Sequence, residues 1–124
     1  MNEKNTLELF KDFPGLYRRE NLDFGIETED GWFDIIYDFS QKLMIVDPEC
    51  QATQVKEKFG GLRFYTNGMN DEAEKLLIEV MDLSFITCEK CGKKGKERQN
   101  PWVKTLCDKC QKESNRNLYK GYGV

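Results

Sequence analysis

The chain contains no histidine, and this absence excludes several kinds of active site. A Ser-His-Asp or Cys-His nucleophile needs an imidazole base, and catalytic zinc sites usually have histidine among their ligands. The phosphate-binding motifs G-x-x-x-x-G-K-[ST] and G-x-G-x-x-G are also missing. Carboxylate chemistry through Asp30, Asp34, Asp38 or Glu57 stays open, but nothing else in the sequence supports it. We therefore expect a protein that is not an enzyme.

Long apolar runs are missing too. No window approaches the roughly 20 consecutive apolar residues of a membrane-spanning helix, and no apolar run follows the first five residues. We therefore expect a cytoplasmic protein without a membrane segment. Its 124 residues suit one compact domain, or a core domain followed by a small metal module.

The net charge of −3 hides an uneven distribution. Residues 1–84 carry 9 lysines or arginines against 18 aspartates or glutamates, a net charge of −9. Residues 85–124 carry 10 against 4, a net charge of +6, which four zinc-bound thiolates would reduce to about +4. Such asymmetry is typical of proteins with a charged partner, either nucleic acid or protein, but charge alone does not decide between the two.

The five cysteines are placed in a way that indicates a metal site. Cys88-Glu-Lys-Cys91 and Cys107-Asp-Lys-Cys110 are two C-x-x-C pairs separated by fifteen residues. This spacing is typical of a structural site in which four thiolates hold Zn²⁺ tetrahedrally. We expect one structural zinc ion per chain, with these four cysteines as its ligands. Cys50 stands alone, which fits a free thiol in a reducing compartment.

The two cysteine pairs have different surroundings. Gly92 follows the first pair and allows the tight turn of a zinc knuckle. The second pair begins a sequence typical of a helix, so we expect it in the first turn of that helix, where the helix dipole favours thiolate. A strand over residues 102–106 leads into it. Knuckle, hairpin and helix-borne cysteines predict a treble-clef-like module over residues 85–124, packed on the preceding residues because no linker separates them.

The periodicity of residues 1–84 predicts helices on either side of a hairpin. The predicted helices cover residues 6–13, residues 30–44, and residues from Asn70 or Asp71 to the first cysteine pair. Thr6 is the expected N-cap of the first. The second has one continuous apolar face. That face consists of Trp32, Ile35, Ile36, Phe39 and Leu43.

Two alternating stretches on either side of Gly60-Gly61 predict the hairpin, because both glycines reach positive φ without a steric penalty. Val55, Glu57 and Phe59 are expected on one face of it. The predicted fold class is therefore α+β. A small antiparallel hairpin or sheet packs with two or three helices over residues 1–84, and a treble-clef-like zinc module with four cysteine ligands follows.

Three groups of exposed residues are candidates for partner binding. Asp30, Asp34 and Asp38 recur at i, i+4 and i+8, and predict an acidic stripe. This stripe is either the solvated side of its helix or a docking surface for a basic partner.

The other two groups are basic and aromatic. The outward face of the hairpin is either a surface that stacks on bases and grips phosphate or a sheet edge protected by charge. It carries Lys56, Lys58, Arg63 and Tyr65. The zinc module adds a basic surface with one aromatic residue. This surface includes Lys90, Lys93, Lys94, Lys96, Arg98, Lys104 and Trp102.

Several of these motifs together resemble a group of small zinc-finger proteins of tailed phages and bacteria, most of them uncharacterised. The motifs are Asp30-Gly31-Trp32, the stretch VKEKFGGLRFY at residues 55–65, Cys88-x-x-Cys91-Gly92, Trp102, and Thr105-Leu106-Cys107-Asp108-x-Cys110. Members of the group often end the site with histidine where this chain has Cys110. The resemblance implies a small accessory protein, phage-encoded and active in the host cytoplasm, that binds a host enzyme or defence complex.

The sequence thus leaves two candidate functions, and both consist of binding a macromolecule. The favoured interpretation is a non-enzymatic zinc protein that binds a partner protein through its acidic body and exposed aromatic residues. The alternative is a nucleic-acid-binding zinc finger that uses the basic module and the hairpin face.

Overall fold

The computed structural model describes residues 1–99 and 102–121, with side chains described as far as residue 115. Residues 100–101 and 122–124 of the predicted zinc module lie outside the described residues. The helices are α1 (Glu3–Asp12), α2 (Phe33–Val46), α3 (Asp71–Ser84) and α4 (Asp108–Gly121). The strands are β1 (Ile26–Glu27), β2 (Ala52–Lys58), β3 (Gly61–Thr66), β4 (Lys96–Arg98) and β5 (Lys104–Leu106). The predicted α+β class is confirmed. Below, "the body" means residues 1–84 and "the module" means residues 85–124.

The strands form two sheets. In the first, β2 and β3 make the predicted antiparallel hairpin, and β1 pairs in parallel with the free side of β2, Ile26 lying beside Val55. The predicted antiparallel hairpin is thus extended by one parallel strand, which the sequence pattern does not reveal because a strand of two residues has no alternation of its own. The second sheet is the antiparallel pair β4 and β5 in the module.

The turn of the first hairpin is shifted by one residue from its predicted position. Phe59 and Gly60 form the two-residue turn with φ values of 54° and 82°, and Gly61 already belongs to β3. Gly61 is needed in the strand because a Cβ there would collide with the ring of Phe85. Phe59 consequently leaves the sheet face on which it was expected, and its side chain is exposed.

The core lies between the inner face of the first sheet and the helices of the body. Helices α2 and α3 pack against each other, and α3 also packs against β3. The predicted apolar face of the second helix is confirmed. Trp32, Ile36, Phe39 and Leu43 are buried and Ile35 is half-buried. One polar pair lies within this core, where the hydroxyl groups of Tyr17 and Ser40 are 2.6 Å apart.

The N-termini of α1 and α3 are capped by asparagine side chains. α1 begins at Glu3, because the side chain of Asn2 accepts a hydrogen bond from the N–H of Asn5. The predicted cap Thr6 was wrong, since an asparagine was available one turn earlier. α3 is capped by Asn70, one of the two predicted candidates. Within the described residues, no helix is both long enough and apolar enough to cross a membrane.

Candidate metal centre

The first two cysteines lie in a tight knuckle between α3 and β4. The N–H of Gly92 donates to the carbonyl oxygen of Cys88 at 2.9 Å, and the N–H of Cys88 donates to that of Lys93 at 2.7 Å. Gly92 has a φ of 83°, so the predicted reason for a glycine there is confirmed. The knuckle holds Cys88 and Cys91 on the same side of the chain, where both sulfurs point to one centre.

The second pair lies at the start of α4, as predicted. Cys107 directly precedes the helix and Cys110 lies in its first turn. The N–H of Cys110 points to the sulfur of Cys107 at 3.4 Å. This N–H and the neighbouring cysteine side chains lower the pKa of the Cys107 thiol to about 7, which favours the thiolate, the metal-binding form.

The two pairs bring four sulfur atoms together. All four sulfurs lie within 4.8 Å of one another, and those of Cys91 and Cys107 are 3.6 Å apart. Ligands of a tetrahedral zinc ion at about 2.3 Å are separated by about 3.8 Å, so the cluster has the size of such a site. Cys88 and Cys110 are buried, while Cys91 is exposed. The four thiols therefore form a cluster that can hold one metal ion.

The body contacts this cluster through the Asp30-Gly31-Trp32 segment. The N–H of Gly31 donates to the carbonyl oxygen of Glu89 at 2.6 Å, and the indole N–H of Trp32 donates to that of Thr87 at 2.8 Å. A Cβ on Gly31 would collide with the carbonyl oxygens of Cys88 and Glu89. Only glycine therefore lets the body approach the knuckle backbone this closely.

The hairpin of the body makes a second contact with the module. The hydroxyl of Thr105, which is fully buried, donates to the carbonyl oxygen of Gly60 at 2.6 Å. The ammonium group of Lys104 lies 2.8 Å from Glu57. Strand β5, which leads into the second cysteine pair, is thus attached to the hairpin turn.

A buried carboxylate lies between these two contacts. The side chain of Glu89 is 2% exposed; one oxygen accepts from the N–H of Glu29, and the other lies 3.6 Å from the ammonium group of Lys104. Burial raises the pKa of the Glu89 carboxyl, an effect that the charge of Lys104 opposes. Burial also lowers the pKa of Lys104, but Glu57 and Glu89 together raise it above its ordinary value. Lys104 therefore remains charged and links body and module.

The predicted acidic stripe does not form as one helical row. Asp30 lies in a 3-10 turn, residues 30–32, that precedes α2, because Gly31 is held there by the knuckle. Its carboxylate accepts from the N–H of Asn2 at 2.7 Å and so supports the start of α1. Asp34 is exposed, and Asp38 pairs with Lys42 at 2.9 Å on the surface.

The outward face of the hairpin has the residues that alternation predicted. Val55, Leu62 and Phe64 are buried on the inner face. The outward residues are Lys56, Lys58, Arg63 and Tyr65, of which Lys58 and Tyr65 are exposed.

The basic residues of the module have different environments. Lys93 and Lys94 are exposed. Arg98 donates to Asp108 at 2.6 Å and to the carbonyl oxygen of Leu106 at 3.2 Å, and it lowers the pKa of Asp108. Trp102 is 72% exposed. Arg98 is therefore engaged within the module, whereas the two lysines and the tryptophan face solvent.

Two residues at or near the site are not identified by the sequence patterns. In the sequence Glu89 is a spacer between two cysteines, although a charged residue next to a buried ligand needs a partner when the knuckle packs on a body. Alternation predicts Phe59 on a sheet face and not at the turn. Cys50 is buried at 1% exposure, and burial raises the pKa of its thiol, which keeps it protonated and unreactive.

Comparisons of the chain with protein-family models, with curated proteins and with solved structures found no match.

Proposed function

We propose that the four cysteines hold one Zn²⁺ ion and that this ion is structural. The observation that carries the proposal is the gathering of four sulfurs, from the knuckle and from the start of α4, within 4.8 Å. Four thiolates are the ligand set of structural zinc, and they fill all four tetrahedral positions, so no position is left for a substrate. A bound ion would tie the knuckle to α4.

The test is the metal content of the intact protein. Native mass spectrometry of the full chain, expressed with zinc present, should show one zinc ion per chain, and Cys107→Ser should lose it. Cys50→Ser is the matched control, because Cys50 lies in the body and not in the cluster, and it should keep one ion. A wild-type chain that folds and retains no metal would contradict the proposal.

We further propose that the protein is not an enzyme and acts by binding a partner protein. The support is a pair of large aromatic side chains that face solvent: Phe59 is 65% exposed and Trp102 is 72% exposed. Both line one surface cleft. Exposed aromatic residues of this kind are enriched at protein interfaces and act there as anchors. The resemblance to phage and bacterial zinc-finger proteins favours a host protein as the partner.

Affinity capture tests whether the protein binds a partner protein. The zinc-loaded full chain is immobilised and exposed to bacterial lysate, with and without nuclease treatment. One protein retained in stoichiometric amount after nuclease, and competed by free chain, supports a protein partner. Recovery that disappears with nuclease contradicts it.

Nucleic acid is the second candidate, because a specific feature favours it. Lys56, Lys58 and Arg63 share the outward hairpin face, and none of them forms an ion pair with the side chains described, those of residues 1–99 and 102–115. A salt titration separates the two candidates. Binding of a dT12 oligonucleotide through phosphate contacts would weaken on the order of 20-fold between 50 and 200 mM salt if each of the three cations contacts one phosphate, whereas an apolar protein interface would change little.

A further inference from the structure

The tip of the hairpin presents an aromatic residue in an unusual conformation. Phe59 has a φ of 54°, a region that residues other than glycine, asparagine and aspartate rarely adopt. Asparagine or glycine is usual at this position of a two-residue hairpin turn. The ring of Phe59 is 65% exposed, so little burial offsets the cost. An exposed, strained residue of this kind is typical of binding sites.

Phe59 forms one wall of a cleft of about 600 Å³. We call it the aromatic cleft, lined by Glu57, Lys58, Phe59, Trp102, Val103 and Lys104. The hairpin of the body provides the first three residues and the module provides the others. This volume is within the range of pockets that bury a ligand of a few side chains. The largest exposed side chains of the cleft, Phe59 and Trp102, are both aromatic, a class enriched at interfaces, and tryptophan is among the commonest anchors there.

The walls of the aromatic cleft are fixed to each other. The ion pair between Lys104 and Glu57, one lining residue from each wall, joins the walls at 2.8 Å, and the hydrogen bond from Thr105 to Gly60 joins the adjacent residues at 2.6 Å. Because these contacts are buried or half-buried, the two walls do not need to be brought together when a ligand arrives. A preorganised site of this kind loses less entropy on binding.

The charge next to the aromatic cleft is positive, although the body as a whole is acidic. Lys58 lines the cleft, and Lys56 and Arg63 lie on the same outward face. Along β2 and β3 no carboxylate occupies an outward position, since Glu57 faces inward to Lys104. This charge complements an acidic ligand.

Beside the aromatic cleft the positive charge covers only a short length. Single strands bind along a continuous basic groove. Here Glu27 on β1 lies beside Lys56 at one side of the face. In the module, Asp108 neutralises Arg98 and lies 4.0 Å from Lys96. Beside the aromatic cleft the cations therefore lie on the hairpin, a length that suits a short peptide, while the exposed Lys93 and Lys94 of the module lie outside the cleft lining.

We propose that the aromatic cleft binds a short acidic segment of a partner protein. An aromatic or aliphatic side chain of the segment enters the cleft beside Phe59 and Trp102, and its flanking carboxylates contact Lys56, Lys58 and Arg63. This inference rests on the proposed protein-binding function and specifies the chemistry of the partner.

The test uses a displayed library of random 12-residue peptides, selected on the immobilised zinc-loaded chain. Selected peptides should contain an aromatic or aliphatic residue flanked by aspartate or glutamate, and a synthetic copy should shift the fluorescence of exposed Trp102. Phe59→Asn should weaken its binding at least about tenfold, the usual effect of losing an anchor residue. Asparagine also suits the turn, so the variant should melt at the same or a higher temperature than wild type.

Phe24→Asn is the matched control, because Phe24 is 80% exposed and lies outside the cleft; it should leave binding unchanged. Peptides without acidic residues, or equal binding by Phe59→Asn, would overturn the inference while leaving a protein partner possible at another surface. Failure to select any peptide, together with salt-sensitive binding of dT12, would overturn both this inference and the protein-binding function.

Discussion

Gly31 shows at the scale of one residue how the body and the module are joined. Its N–H donates to the carbonyl oxygen of Glu89, and its missing side chain leaves room for the carbonyls of Cys88 and Glu89. Any residue other than glycine at this position would weaken this backbone hydrogen bond, because its Cβ would push the two backbones apart.

We predict that Gly31→Ala destabilises the protein by about 2 to 3 kcal/mol, the range for overpacking a buried contact, with the loss of one hydrogen bond included. Urea unfolding of the zinc-loaded chain measures the change. Gly15→Ala is the control, since a Cβ there meets nothing within 4 Å, and it should change stability by less than about 0.5 kcal/mol. Equal effects of the two variants would show that the junction tolerates separation.

Lys104 is a second residue on which the junction depends. It lies between the carboxylates of Glu57 and Glu89, whose side chains are 15% and 2% exposed. We predict that Lys104→Met costs about 2 kcal/mol, because it leaves two poorly solvated carboxylates without a cation. This loss of stability is smaller than the loss from breaking a fully buried ion pair, because a third of the Lys104 side chain is exposed.

The matched control is Lys42→Met, which breaks the exposed pair with Asp38 and should cost no more than about 0.5 kcal/mol. Adding Glu89→Gln to Lys104→Met should recover part of the loss, because the amide carries no charge to leave unpaired. A double-mutant cycle by urea unfolding measures this coupling. Strictly additive effects would contradict the role given to Glu89.

At the scale of elements, Asn70 joins two helices. Its side-chain oxygen accepts from the N–H of Ala73 and caps α3, and its side-chain nitrogen donates to the carbonyl oxygen of Val46, the last residue of α2. We predict that Asn70→Ala lowers the free energy of unfolding by about 1.5 kcal/mol, above the usual loss of about 1 for a cap alone. Asn70→Asp keeps the acceptor and loses the donor, so its thermal unfolding should fall between wild type and Asn70→Ala. An aspartate variant as unstable as the alanine variant would contradict the capping role of the Asn70 side-chain oxygen.

The elements that were predictable from sequence are those governed by local pattern. The cysteine spacing, the apolar face of α2 and the alternation of the hairpin are visible within a few residues. Two of the errors come from contacts between distant residues. The hairpin turn moved by one residue because Gly61 packs under Phe85, and Asp30 left the helix because the knuckle holds Gly31. A pattern of single residues does not contain such contacts.

The motifs that carry the resemblance meet in space, although they are distant in the chain. Asp30-Gly31-Trp32, the Phe59-Gly60-Gly61 turn and the two cysteine motifs all contribute to the junction between body and module. These residues therefore form one structural unit, in which the cysteine cluster and the core of the body share contacts. We infer that the folding of the module and of the body is coupled.

At the scale of the whole molecule, this coupling makes metal removal a test of the junction. The chain has two tryptophans. Trp32 is fully buried, and its indole N–H donates to Thr87, one residue before the first cysteine. In the variant Trp102→Phe, Trp32 becomes the only tryptophan, so its fluorescence reports the body at the point where the module touches it.

We predict that a strong chelator unfolds at least residues 85–113 and also shifts the Trp32 emission to longer wavelength, because the Thr87 carbonyl and the knuckle that cover it are lost. Restoring zinc should reverse the shift. The melting temperature of the metal-free chain should fall by several degrees, since losing about 2 kcal/mol of junction contacts in a chain of this size corresponds to about 8 °C. A loss of zinc that leaves the Trp32 emission and the melting temperature unchanged would mean that the body folds independently of the cysteine cluster. The shared contacts would then be a consequence of folding and not a condition for it.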